Sequence, residues 1–174
     1  MDSKQQRGAG GTKRSGPLIG ADGAISEPAL AVRFVCLDDP SRAFIAAALV
    51  RSIGRGEASG WAEGDPNEIH PAARQVMEEI GVSLNGVAVG AGSARPGNEL
   101  VVFIRNRGWP APPQAAAWSF DDPSAATDQA TSLATFRRVR DEIKRRVDLL
   151  LLVKLKPVGA PGGQPWAQPR EGNA

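Results

Sequence analysis

Apolar positions along the chain fall into short dense runs separated by loops that carry Gly and Pro, and the runs have two different periods. Ala31-Val32-Arg33-Phe34-Val35 and Leu100-Val101-Val102-Phe103-Ile104 are near-continuous runs of strand length, the pattern expected of strands buried on both faces of a parallel sheet. Glu57–Trp61 and Ala117–Phe120 are shorter strand candidates. Between them the period lengthens. Ala43 to Ile53 spaces Phe44, Ala47, Ala48 and Val50 for one buried face, with Gly54 as its stop. Pro71 and Gly81 frame a second helix with Val76, Met77 and Ile80 as its stripe; proline is tolerated in a first turn because its missing N–H has no partner there. From Ser132 onward, Leu133, Phe136, Val139, Ile143, Val147 and Leu150 recur at steps of three and four, which predicts a closing amphipathic helix of about six turns. Residues 85–98, with four glycines and one proline, predict no element.

Strands alternating with helices give an α/β fold class: a single doubly wound domain whose parallel sheet is flanked by helices and whose ligand site lies at the carboxyl ends of the strands. The patterned region spans residues 31–153. Residues 1–30 and 154–174 hold 16 of the 34 Gly and Pro and show no apolar period, so both read as disordered tails. Their charge is +1 (four basic, three acidic) and +2 (three against one), which leaves the 31–153 domain at −1 (14 against 15). The basic balance belongs to the tails, and the domain carries no footprint for nucleic acid. The longest apolar stretch, Ala43–Val50, is eight residues, too short for a membrane span or signal peptide, so a cytoplasmic protein is expected.

One cysteine excludes an intramolecular disulfide, a four-cysteine zinc site and any relay of thiols within the chain. No metal or bound cofactor is expected. Cys36 ends a strand and Arg42, six residues on, begins a helix. Five intervening residues let a loop curl so that the amides of Leu37, Asp38, Asp39 and Ser41 and the Arg42 guanidinium point at a tetrahedral anion. The same positive field would make Cys36 a nucleophile. The plainer readings stand beside this one: Cys36 as a buried structural thiol, and Arg42 paired with Asp38 or Asp39 instead of a ligand. Asp121-Asp122-Pro123 is a turn signature. His70 reads as a capping or surface residue. Arg137, Arg138, Arg140, Lys144, Arg145 and Arg146 read as a solvated face with Asp141–Arg145 and Glu142–Arg146 pairs, and Trp166 lies in the C-terminal tail.

These residues resemble the low-molecular-weight phosphotyrosine phosphatases, and more closely their arsenate reductase branch. The resemblance is carried by VRFVCLDDPSRA (32–43), Ala58-Ser59-Gly60, IHPAARQVMEEIGVSL (69–84), Val101-Val102, AWSFDDP (117–123) and FRRVRDEI (136–143). It implies a four-stranded parallel sheet, Cys36 attacking arsenic or phosphorus, Arg42 holding the equatorial oxygens and Asp122 protonating the leaving oxygen. The family loop usually has Gly and Asn where this chain has Asp38 and Asp39, and Ser where it has Ala43; Pro40 removes one amide donor. Each change acts against binding a dianion. Thioredoxin-coupled members need two further cysteines, which this chain lacks, so a reductase here would take its second sulfur from an external thiol such as mycothiol or glutathione, or from a redoxin. Without tyrosine near the acid, phosphotyrosine selectivity is not expected. The substrate implied is a small oxyanion or a phosphorylated molecule. The alternative is a catalytically inactive relative serving as a binding or regulatory module.

Overall fold

The computed structural model describes residues 28–36, 38–90, 99–110 and 116–155. Tail residues 1–27 and 156–174, with Trp166, and the Leu37 amide lie outside the described residues, while Leu30 belongs to a strand and Lys154 to a helix, each one residue beyond the expected 31–153. Five strands, β1 (Leu30–Cys36), β2 (Ala58–Ala62), β3 (Ala88–Val89), β4 (Glu99–Asn106) and β5 (Ala116–Phe120), form one parallel sheet in the order β3-β2-β1-β4-β5. Three α-helices accompany them: α1 (Ser41–Ile53), α2 (Pro71–Glu78) and α3 (Gln129–Lys154).

The strand count is five where four were expected. The addition, β3, is a two-residue edge strand in the glycine-rich stretch that predicted no element, pairing Trp61 with Ala88 and Ala62 with Val89. It has too few side chains to leave a period in the sequence. Helix α1 starts at Ser41, two residues before the expected Ala43, because the Asp39 carboxylate accepts the Ser41 N–H at 2.9 Å and satisfies an amide that has no partner within the helix. Helix α3 begins at Gln129, capped by Asp128, whose side chain accepts the Thr131 N–H.

One apolar cluster joins Val32, Phe34, Val102, Ile104 and Phe120 of the sheet to Phe44, Val76, Met77, Phe136 and Ile143 of the helices. Helix α1 lies close on β2: a Cβ on Gly60 would stand 2.7 Å from the Ala47 carbonyl oxygen and 2.9 Å from its Cα. Only glycine permits that approach. On the other face of the sheet Arg33 binds Glu63 at 2.6 Å and Glu99 at 3.1 Å.

The basic residues of α3 are more engaged than a solvated face. Arg137 pairs with Glu79, and Arg138 with Asp121. The Arg140 Nη1 donates to the Val76 carbonyl at 2.8 Å, pinning the end of α2. Arg146 pairs with Glu142, as expected, and stacks 4.4 Å over the Phe120 ring. Asp141 pairs with Arg140 at 2.8 Å rather than with Arg145, because Arg140 is drawn toward α2 and its Nε passes that carboxylate. Among the described residues no helix is long and apolar enough to cross a membrane.

Candidate active site

The sheet order puts the ends of β1, β4 and β5 side by side, and three chemistry-bearing side chains stand there. Cys36 is the last residue of β1, Asn106 the last of β4, and Asp122 follows β5 by two residues. Arg42, in the first turn of α1, is wholly buried. A continuous chain of contacts links them. The Cys36 thiol donates to Asp38 Oδ1 at 3.0 Å, and Arg42 Nη2 donates to Asp38 Oδ2 at 2.8 Å. Arg42 Nη1 donates to Asn106 Oδ1 at 2.7 Å, and Asn106 Nδ2 reaches Asp122 Oδ2 at 3.5 Å.

Asp38 thus occupies the space between thiol and guanidinium, and the anion of Arg42 is internal, one of the two readings open from the sequence. Asp39 acts similarly on the backbone, since its Oδ1 takes the Ser41 N–H that would face a ligand at the start of α1. The Asp39 Oδ2 is buried without a hydrogen-bond partner among the described residues. The loop residues therefore meet donors of the cradle with two carboxylates of their own. Ala43 is buried and offers the sulfur no hydroxyl.

The electrostatics follow from this arrangement. Burial pushes the Cys36 thiol up; the Arg42 charge pulls it down, but the hydrogen bond and charge of Asp38 push it up again, to about 12 from an ordinary 9.0. At neutral pH Cys36 is a thiol, not a thiolate. Burial also acts to raise the Asp38 carboxyl, yet the hydrogen bond from Cys36 and the charge of Arg42 outweigh it and hold Asp38 below its ordinary 3.8.

Of the two adjacent aspartates, the structure separates the roles. Asp121 turns outward to Arg107 at 2.8 Å and Arg138 at 3.0 Å. Asp122 caps a single 3-10 turn, Pro123–Ala125: its Oδ1 accepts the Ser124 N–H at 3.0 Å and hydroxyl at 2.6 Å, while Oδ2 is directed to Asn106. The turn signature and the place beside the cradle are both present in one residue. His70 stands apart as a cap: its Nδ1 accepts the Ala72 N–H at 3.1 Å, its own N–H donates to the Ser41 hydroxyl, and its ring stacks on Phe136. Asn106 is the residue that sequence reading missed. Its signal was a polar residue ending an apolar strand run, but only the sheet order places it against Arg42.

A cleft of about 350 Å³ opens between the first turns of α2 and α3, and none of Cys36, Asp38, Arg42, Asn106 or Asp122 lines it. Among the described residues no cluster of His, Cys, Asp and Glu is placed to hold a metal ion.

No family model matches the chain. The chain is 26% identical over 129 residues to a glutaredoxin arsenate reductase from Synechocystis sp., covering 69% of this chain and 95% of that protein. Its fold is similar to an arsenate reductase solved in the phosphate binding state, with TM-score 0.57, 25% identity and coverage of 72% of this chain and 98% of the other. It is similar also to an arsenate reductase in the intermediate state, with TM-score 0.51, 26% identity and coverage of 70% and 96%. The resemblance to the low-molecular-weight phosphatase and arsenate reductase family, on the arsenate reductase side, therefore holds in sequence and in fold.

Proposed function

We propose that the protein carries out cysteine-dependent chemistry on a tetrahedral oxyanion, arsenate or a phosphate ester, at a rate held low by Asp38. One observation carries this reading: a carboxylate sits between the Cys36 sulfur and the Arg42 guanidinium, accepting from both. A site that binds an anion in that place already has the donor set for an oxyanion.

Reaction starts when the substrate displaces Asp38. The entering dianion takes over the hydrogen bond from the Cys36 thiol and accepts its proton, so that a thiolate faces a monoanion held by Arg42. The thiolate attacks arsenic, an As–O bond breaks, and Asp122 supplies the proton with which that oxygen leaves as water. An external thiolate then attacks the Cys36 sulfur. The S–S bond forms, the S–As bond breaks with its electron pair left on arsenic, and As(V) becomes As(III) as two thiols become a mixed disulfide. With a phosphate ester the same attack forms an S–P bond, Asp122 protonates the leaving alkoxide, and water hydrolyses the intermediate. The single cysteine makes the external thiol or redoxin obligatory for the reductase route; the likeness to a glutaredoxin arsenate reductase supports it. A cytoplasmic setting fits this thiol supply.

The test compares the wild type with Asp38→Gly, which restores the family's residue. Both are assayed for arsenate reduction with glutathione or mycothiol plus a redoxin, and for aryl phosphate hydrolysis. Slow turnover in the wild type and at least roughly tenfold faster turnover in the variant are expected, since two charges about 5 Å apart at an effective dielectric near 20 interact by about 3 kcal/mol. Absence of both activities in both proteins overturns the reading.

The second reading, an inactive relative serving as a binding or regulatory module, is favoured by a thiol that stays protonated up to about 12 and by a buried Ala43 that brings no hydroxyl. It predicts no turnover in the wild type and a gain of turnover on the combined reversion of Asp38, Asp39, Pro40 and Ala43 to the family pattern; a reversion that gains none counts against a loss confined to this loop.

A further inference from the structure

The Arg42 guanidinium is a planar fork of five N–H donors with fixed directions. In this wholly buried side chain Nη1 is held by Asn106, Nη2 by Asp38, and Nε has no hydrogen-bond partner among the described residues. Nε and Nη2 share one edge of the fork, the edge that pairs side-on with an acceptor bearing two oxygens. That edge is half used. Asp38 gives it one oxygen and turns the other to the Cys36 thiol, which leaves the Nε–H orphaned inside the protein.

Asn106 works on the opposite arm. Arginine only donates, so the Asn106 amide must present Oδ1 to Nη1, and its Nδ2 is thereby turned to Asp122. The two arms are also built differently. Asn106 stands on a strand and pairs in register with Phe120 of β5, whereas Asp38 stands on the loop after β1 with a partly exposed side chain.

We propose that Asn106 is a positioning residue: it fixes Arg42 through Nη1 so that the Nε–Nη2 edge receives the oxyanion in exchange for Asp38, while the same amide steadies Asp122. The inference deepens the oxyanion reading above and rests on it. An oxyanion with two free oxygens takes two donors where Asp38 takes one, and satisfies the orphaned Nε–H in doing so. Asp38 is the exchangeable arm, and Asn106 the fixed one.

The experiment is guanidinium NMR on the ¹⁵N-labelled full chain, with inorganic phosphate as probe, in the wild type, Asp38→Asn, Asp38→Asn/Asn106→Ala and Asp38→Asn/Asn106→Asp. Phosphate added to Asp38→Asn should shift the Arg42 Nε and Nη2 signals and leave Nη1 in place. Asn106→Ala should merge the separate Nη signals by freeing rotation about Nε–Cζ, and weaken phosphate binding roughly tenfold, the loss of one charge-assisted hydrogen bond. Asn106→Asp keeps the acceptor for Nη1 and should restore the separate signals, which separates positioning from a general loosening of the fold. Unchanged Nη rotation and unchanged phosphate affinity in Asn106→Ala overturn the role of Asn106. A phosphate shift as large at Nη1 as at Nε overturns the edge assignment. If phosphate moves no Arg42 signal in either the wild type or Asp38→Asn, the oxyanion reading fails with it, an outcome distinct from a failure confined to the Asn106 variants.

Discussion

A carboxylate two residues after a cysteine and four before an arginine can reach both, and Asp38 does so, accepting from the Cys36 thiol and from Arg42. Two pH effects follow. The folded-state thiol is raised to about 12 from 9.0, so above pH 9 the unfolded chain loses this proton while the folded chain keeps it. The associated stability is fully present below pH 9 and declines as pH rises from 9 toward 12. Urea denaturation in that range should show a slope that Cys36→Ala removes. Asp38 is lowered from 3.8, so its contribution is present above 3.8 and fades as pH falls below it; Asp38→Asn should flatten that acid limb. Cys36, Asp38 and Arg42 were legible in the sequence, because all three lie on one loop. Asn106 was not, since its contact spans 64 residues and depends on β4 lying beside β1.

Helices and strands meet at points where one atom decides the fit. Gly60→Ala would drive a methyl into the Ala47 backbone at 2.7 Å, moving α1 and with it Arg42. A loss of about 1–3 kcal/mol is expected by urea denaturation, the range for overpacking. At the other end of the helical layer, Arg140→Met keeps the apolar stem but orphans the Val76 carbonyl. A loss of about 1–3 kcal/mol is expected, with hydrogen exchange quickening first in the last turn of α2. The two long strands and the three helices were readable from period alone. Helix α1 began earlier than its apolar stripe because a polar contact, Asp39 on Ser41, sets that boundary. The edge strand β3 left no trace because its two residues are exposed and are fixed only by pairing with β2.

For the whole molecule, the parallel sheet gathers the ends of β1, β4 and β5 into one site, and the chain then fills that site with its own carboxylates. The fold class came through in the sequence because strand and helix periods alternate. Occupancy of the cradle came through as one of two open readings, Arg42 paired with Asp38 or Asp39 or with a ligand, since repulsion and replacement of a ligand look alike in a string of residues. With one thiol, each arsenate reduced must pass through Cys36 joined to the external thiol, a mixed disulfide that a second external thiol then cleaves to return Cys36 and the external disulfide. Mass spectrometry of an acid-quenched single turnover of Asp38→Gly, with arsenate and one equivalent of glutathione, should find that adduct, and arsenite released without it would exclude the route. The deciding observation is the alkylation rate of Cys36 against pH, with and without phosphate, in the wild type and in Asp38→Asn. The wild-type thiol should titrate near 12 without phosphate protection at neutral pH, and Asp38→Asn should titrate lower and gain protection. A wild-type thiol that titrates at or below 9.0, or an Asp38→Asn variant indistinguishable from it, would contradict a cradle closed by Asp38.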